Sequence, residues 1–213
     1  MTPIDLTTWP RQQHFSLFKD FTQPYFNVCV QLDMQPLYNY CKAQQISFFQ
    51  SYIYLTLQAC HRYQPMLQRV INDAPWQLNT ARASVVELAQ DDTFRFSYFT
   101  KQDSFFAFQT HATHVSTAAK LQPLFSHAFS QTEGQADLIH ISVLPWLDFM
   151  SFSHAFTQGT NLGIPKLVFG KLNKLTGKMP LSIDVHHALM DGLHVAKFIN
   201  ELQVAITQFI NTN

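Results

Sequence analysis

The sequence is poor in charged residues and in long apolar runs. Charged residues make up 13% of the 213 residues, and 14 basic residues balance 14 acidic ones. Zero net charge without a basic run argues against nucleic acid or an anionic membrane as the main partner, since both require an electrostatic footprint. No stretch reaches the roughly 18 consecutive apolar residues of a membrane-spanning helix. No signal peptide is visible at the N-terminus, so we expect a cytoplasmic protein.

Several sequence signals are missing, and each absence argues against one type of active site or of domain organisation. The six glycines form no linker or repeat, so we predict a single domain spanning residues 1–213. No P-loop, GxGxxG fingerprint or serine-nucleophile elbow occurs. The three cysteines, Cys29, Cys41 and Cys60, form no CxxC pair and lie in apolar segments. They are predicted to be buried thiols rather than nucleophiles or metal ligands.

Aromatic and apolar residues, in contrast, are abundant. The chain contains 20 phenylalanines and 46% hydrophobic residues. Because interface cores are depleted of charge, this composition predicts self-association. The apolar patterns predict a mixed α/β fold without the regular strand-helix alternation of a doubly wound sheet. Strands are predicted at 25–32, 67–71, 84–88, 93–99, 138–143, 166–172 and 180–186, and helices at 7–18, 33–44, 47–60, 191–209 and, broken, at 104–129.

Adjacent histidines at the end of the last predicted strand carry the strongest chemical signal. His186 and His187 precede a turn and an acidic helix start at Asp191. A neutral imidazole held at such a turn is suited to remove a proton from a hydroxyl group. His186, His187 and His194 could instead hold a metal, although adjacent strand residues point to opposite faces. Asp191 could equally be a plain N-cap.

Several motifs along the chain resemble those of the chloramphenicol acetyltransferase family. The run His186-His187-x-x-x-Asp191-Gly192 is similar to the family's C-terminal signature, and residues 9–15 resemble its N-terminal Trp-x-Arg-x-x-His-Phe. Residues 30–33 match the exit of its first strand, and 141–146 match its Ser-x-x-Pro-Trp segment. The histidine motif also occurs in dihydrolipoamide acyltransferase cores and peptide-synthetase condensation domains. The compact length favours the antibiotic acetyltransferases.

The resemblance implies roles for four residues in acetyl transfer from acetyl-CoA to a small-molecule acceptor. His187 would be the general base, with its ring held by a hydrogen bond to its own main chain. Asp191 would form a buried ion pair with Arg11, and Ser142 would donate its hydroxyl to the oxyanion of the tetrahedral intermediate. Acetyl-CoA would be a co-substrate, and no metal would be required.

The resemblance also implies binding residues and an assembly. Val168 and Lys171, with Ser142, would lie near the coenzyme. The fold would be a two-layer α/β sandwich in which helices cover a mixed sheet. Three chains would form a homotrimer, with His187 from one subunit and most of the acceptor pocket from its neighbour. The acceptor pocket would be lined by Leu17, Phe18, Phe26, Phe105, Phe129, His140, His154 and Leu162.

Five positions depart from the family pattern. Asp184 replaces a glutamine and Leu193 replaces an aromatic residue in the signature, and Val168 replaces a threonine that helps to hold a water. His140 and His154 stand where the family has a pocket asparagine and a pocket leucine. Since the four catalytic positions are intact, acetyl transfer is expected. The acceptor is expected to be chloramphenicol or another small hydroxylated molecule, and a homologue that binds ligand without turnover is the alternative.

Overall fold

The computed structural model describes residues 1–156 and 162–212. It is an α/β structure in which strands and helices alternate irregularly, as the sequence predicts. The helices are α1 (Gln12–Phe18), α2 (Gln35–Ala43), α3 (Phe48–Arg62), α4 (Phe105–Lys120), α5 (His127–Thr132) and α6 (Gly192–Thr212). The strands are β1 (Thr2–Pro3), β2 (Tyr25–Asp33), β3 (Gln68–Ile71), β4 (Ala74–Gln77), β5 (Arg82–Leu88), β6 (Phe94–Phe99), β7 (Leu138–Val143), β8 (Lys166–Phe169) and β9 (Lys178–His186).

A six-stranded mixed sheet forms the centre of the fold. Its strand order is β2-β9-β8-β7-β5-β6. β7 runs parallel to both β5 and β8, whereas the other neighbouring pairs are antiparallel. A second, small sheet has the order β1-β4-β3. The prediction of an α/β fold with a mixed sheet is therefore confirmed.

Alternation along β2 and β9 separates an apolar face of the sheet from a polar one. Val28 lies opposite Ile183, and both pack in or against the main hydrophobic core. Their strand neighbours Asn27 and Asp184 point to the other face, because successive side chains alternate. Helix α6 contacts β2 and buries a stripe at helical spacing that includes Val195, Phe198, Leu202, Ile206 and Phe209.

Serine side chains begin three of the helices. Ser47 accepts a hydrogen bond from the Gln50 backbone N–H, and Ser104 and Ser126 cap α4 and α5 in the same way. The helix predicted at 7–18 begins only at Gln12, and the hydroxyls of Thr7 and Thr8 instead bond to the Asp5 carboxylate. Asp33 ends β2 and Met34 occupies the N-cap position of α2.

The hairpin of β3 and β4 was not predicted in full. Asn72 and Asp73 form its turn with φ angles of 50° and 58°, a left-handed conformation that Asn and Asp tolerate. Cys41 and Cys60 are buried and Cys29 is half-buried, and all three thiols are free. In residues 1–156 and 162–212, no helix is long and apolar enough to cross a membrane.

Candidate active site

His187 lies in the turn directly after β9, with its ring packed between aromatic side chains. Its backbone N–H donates to the Pro24 carbonyl at 2.8 Å. The imidazole stacks on Phe18, with ring centroids 3.9 Å apart and planes inclined by 4°, and Phe26 lies 4.7 Å away at a tilt. Nδ1 is buried and has no hydrogen-bond partner among the described residues. The expected bond to the main chain is therefore replaced by aromatic packing.

The neighbouring His186 plays a structural part in the same turn. Its side chain is fully buried, and Nδ1 accepts a hydrogen bond from the Ala188 backbone N–H at 3.1 Å. Burial, together with the adjacent His187, lowers the pKa of His186 to about 4, so this ring is neutral near pH 7. Within the part of the chain that the structure describes, no three His, Cys, Asp or Glu side chains are arranged to hold a metal ion.

Arg11 and Asp191 meet although 180 positions separate them. Arg11 Nη1 donates to Asp191 Oδ2 at 2.7 Å, and Arg11 Nη2 donates to the His187 carbonyl at 2.9 Å. The Arg11 side chain is 9% exposed and that of Asp191 is 34% exposed, so the pair is only half-buried within one chain. Through Arg11, the carboxylate of Asp191 is connected to the main chain of His187.

His194 holds the same carboxylate from its other side. Its Nδ1 lies 2.7 Å from Asp191 Oδ1, which also accepts from the backbone N–H groups of Leu193 and His194. Burial acts to raise the pKa of Asp191, but the hydrogen bonds from His194 and Arg11 outweigh it and hold the pKa well below its ordinary value. Asp191 is thus ionised at neutral pH and is both an ion-pair partner and a cap of α6.

Ser142 lies far from His187 within one chain. It lies near the end of β7, where it pairs with Val168 on β8. Val168 in turn pairs with Ser182 on β9. His186 is four residues further along β9, which corresponds to about 13 Å along the strand and about 10 Å across two strand spacings. A base and an oxyanion donor must both reach one reacting carbonyl group. One chain alone does not bring Ser142 and His187 together.

The predicted acceptor residues fall into separate places. Phe18 and Phe26 contact His187 of their own chain, and Leu17 beside them is 59% exposed. Phe105 begins α4 and packs against Tyr54 and Phe209 near the hydrophobic core.

The other acceptor residues lie on or near the polar face of the sheet. Phe129 contacts Phe96, while His140 and Leu162 line one cavity. His154 Nδ1 lies 2.6 Å from Asp184 Oδ2.

Lys171 lines an apolar cleft at the end of β7 and β8. The cleft has a volume of about 440 Å³ and is walled by the rings of Tyr38, Phe48, Phe49 and Tyr52. Val143, which follows Ser142, also lines it. Lys42 and Lys174 lie 5.6 and 5.9 Å from the Tyr38 ring centre, so basic groups surround one end. Val168, by contrast, is fully buried, and a coenzyme cannot touch it unless the covering residues move.

Sequence reasoning missed two further polar residues and one contact. Glu133 follows α5, and Lys166 begins β8; both line the cavity that contains His140. No motif marks them, although Lys166 and His140 share the strand pattern that places them on the polar face. The contact of His194 with Asp191 was signalled only by its spacing of three residues at a helix start.

Comparisons with known proteins place the chain in a family. The chloramphenicol acetyltransferase family matches residues 1–203. A chloramphenicol acetyltransferase of Proteus mirabilis is 28% identical over 207 residues, which cover 94% of this chain and 92% of that protein. Chloramphenicol acetyltransferase 3 of Escherichia coli is 26% identical over 206 residues, covering 95% of each chain. The chain therefore belongs to the chloramphenicol acetyltransferase family, whose members are acyltransferases that use acetyl-CoA.

Solved structures share the fold. A chloramphenicol acetyltransferase superposes with a TM-score of 0.84 at 23% identity, covering 97% of this chain and 100% of that one. The cubic core of a pyruvate dehydrogenase multienzyme complex reaches a TM-score of 0.69 at 13% identity, covering 94% and 87%. The fold is thus shared with both of these structures.

Proposed function

We propose that this protein transfers the acetyl group of acetyl-CoA to the primary hydroxyl of chloramphenicol, and so inactivates the antibiotic. The contact of Arg11 with Asp191 and with the His187 carbonyl carries the proposal. It links three positions that the family motifs single out, from opposite ends of the chain. Membership of the family supports the same reaction.

The base in this proposal is His187. Nδ1 is buried, so Nε2 would be the ring nitrogen that faces an acceptor. Nε2 takes the hydroxyl proton while the oxygen attacks the acetyl carbonyl, which forms a tetrahedral oxyanion without an acyl-enzyme. The intermediate collapses, its bond to sulfur breaks, and the protonated imidazole returns the proton to the CoA thiolate. Stacking on Phe18 and the bond from Arg11 hold the base in position.

Ser142 completes the site from a second copy of the chain. Its hydroxyl would donate to the oxyanion, a contribution typically worth about 10²–10³ in turnover. The separation of Ser142 from His187 within one chain supports this arrangement. We propose a homotrimer of single-domain, two-layer subunits, with each site shared between neighbours.

Acetyl-CoA would enter through the aromatic cleft beside Lys171. Its rings suit the apolar parts of the coenzyme, and Lys42, Lys171 and Lys174 supply positive charge for its phosphates. The cleft includes Val143, whose side chain points to the sheet face opposite that of Ser142, so the acetyl group would have to pass the end of β7 to reach the Ser142 hydroxyl. Local charge of this kind is compatible with a net charge of zero.

Thiol release tests the proposal directly. Purified protein is incubated with acetyl-CoA and chloramphenicol, and free CoA thiol and the acetylated product are measured. We expect release that depends on chloramphenicol and is lost in His187→Ala. Release no faster than in His187→Ala would refute chloramphenicol as acceptor.

The alternative acceptor class is another small hydroxylated molecule. The presence of His140 in the cavity beside Ser142, where the family has an asparagine, favours this alternative. A homologue that binds without turnover would bind CoA in calorimetry yet release no thiol with any hydroxylated acceptor.

A further inference from the structure

A row of polar side chains crosses the sheet face that carries Ser142. Residues in cross-strand register share a face, and the apolar side chains of Ile183 and Leu167 alternate with this row and point to the core. The reaction steps described above use none of its members. In order from β2 to β6 the row consists of Asn27, Asp184, Lys166, His140, Ser84 and Tyr98.

A cavity of about 260 Å³ opens on this row. His140 and Lys166 form part of its lining, with Glu133, Tyr25, Phe156 and Leu162. His140 precedes Ser142 by two residues on the same strand, so their Cα atoms lie about 7 Å apart on one face. A ligand in the cavity would therefore lie beside the proposed oxyanion donor.

Two opposite charges, Lys166 and Glu133, border the cavity, and no direct ion pair between them is found among the described residues. Lys166 Nζ donates to the Ala155 carbonyl at 2.9 Å and lies 4.1 Å from the Phe156 ring centre. In the described ranges, no ion pair joins it to a carboxylate. Burial lowers the pKa of Lys166 and raises that of Glu133, the cost of holding each charge partly out of water.

The hydrogen-bonding capacity of Glu133 is only partly used. Its Oε2 accepts from Tyr98 Oη at 3.1 Å and from Ser84 Oγ at 3.3 Å. Its Oε1 lies 3.6 Å from His140 Nε2, which is beyond a good hydrogen bond. Burial, with Lys166 nearby, lowers the pKa of His140 to about 4, so this ring is neutral and does not balance Glu133.

The Asp184 carboxylate on the row already has hydrogen-bond partners. Its Oδ2 lies 2.6 Å from His154 Nδ1 and accepts from Asn27 Nδ2 at 2.9 Å. The cavity therefore contains one cation, one anion and a neutral imidazole. Its net charge is close to zero, with a strong donor on one side and a strong acceptor on the other.

Resting on the proposed function, we infer that Glu133, His140 and Lys166 form the specificity pocket for the non-reacting part of the acceptor. The pocket fits an uncharged, hydroxylated acceptor that accepts a hydrogen bond from Lys166 and donates one to Glu133. These hydrogen-bonding groups of the acceptor would lie close to its hydroxyl that is acetylated. An anion would meet Glu133 and a cation would meet Lys166, so both are disfavoured; a purely apolar acceptor would leave both charges unpaired.

Two substitutions test the pocket with chloramphenicol, which is uncharged and contains hydroxyl and amide groups. Lys166→Met removes the donor, and Glu133→Gln keeps size while removing the charge. Each is expected to raise the KM for chloramphenicol about 10-fold, with kcat within about twofold and the KM for acetyl-CoA unchanged, because a hydrogen bond to a charged group is lost in binding. Lys101→Met, which removes an exposed lysine elsewhere, is the matched control.

Calorimetric binding of chloramphenicol to the same proteins separates the possible failures. A matching loss of affinity in both variants, but not in Lys101→Met, supports the pocket. If the unaltered protein releases thiol while both variants keep its KM and affinity, the pocket assignment is wrong and the proposed function stands. If the unaltered protein neither binds nor acetylates chloramphenicol, the proposed function fails and the pocket assignment falls with it.

Discussion

The imidazole ring of His187 is held by stacking on a single side chain, that of Phe18. A ring nitrogen without a partner would leave the imidazole free to rotate, but the parallel ring of Phe18 at 3.9 Å confines it. Sequence similarity assigned Phe18 to acceptor binding. The structure adds a positioning role, because aromatic stacking fixes a plane as well as burying area.

Replacing Phe18 by leucine should therefore lower kcat by about 10-fold, since small misplacement of a catalytic group is costly. The KM for acetyl-CoA should stay unchanged. Phe18→Tyr keeps the ring and should recover most of the rate. Steady-state kinetics of the unaltered protein, Phe18→Leu and Phe18→Tyr test this, with thermal melting as a check on folding. A kcat of Phe18→Leu equal to that of the unaltered protein would argue against the positioning role.

Asp191 should contribute stability that depends on pH. Its pKa in the folded protein lies below the unfolded value of about 4, so its ionised form stabilises the fold above that pH. The difference in melting temperature between the unaltered protein and Asp191→Asn should be full above about pH 4. It should shrink as pH falls towards the lower folded pKa.

Asp103→Asn, at an exposed position, controls for a general loss of negative charge. A difference that stays constant from pH 6 to pH 3, roughly spanning the ordinary titration range of aspartate, would show that the ion pair has no part in stability.

At the scale of elements, Arg69 ties β3 to the start of β7. Its side chain is fully buried and donates to four carbonyls, those of Met66, Gln68, Ala136 and Leu138, at 2.6 to 3.0 Å. Burial lowers the pKa of Arg69 to about 10, which leaves it charged at neutral pH.

Arg69→Met should lower the free energy of unfolding by about 3 kcal/mol or more, because it leaves buried carbonyl groups without donors. Urea denaturation measures the change. Arg62→Met, which loses one exposed contact to Gln208, should cost less than about 1 kcal/mol. Similar losses in both variants would contradict the role assigned to Arg69.

Local patterns were sufficient to predict most elements, and they were insufficient for the contacts between them. The alternation of Phe26, Val28 and Val30 predicted β2, and the stripe on α6 predicted its buried face. The short strand β4 was missed because Pro75 interrupts its pattern. Neither Glu133 nor Lys166 belongs to a motif. The sheet register places Lys166 beside His140, and the end of α5 brings Glu133 to it.

At the scale of the whole molecule, the low charge content is consistent with burial between subunits. Exposed large apolar side chains in one chain include Leu17, Leu121, Phe125 and Trp146. We expect a mass in solution of about three times 24.6 kDa, measured by light scattering. A monomeric mass with full activity would contradict the shared site, and a 24-chain particle would indicate an acyltransferase core instead.

Co-expression of two inactive variants tests the central claim most directly. His187→Ala lacks the base and Ser142→Ala lacks the oxyanion donor, so each alone should release little thiol. If base and donor come from different chains, random mixing restores about a quarter of the sites. The account predicts thiol release from acetyl-CoA with chloramphenicol at about a quarter of the unaltered rate. A rate no higher than the mean of the two separate variants would contradict it.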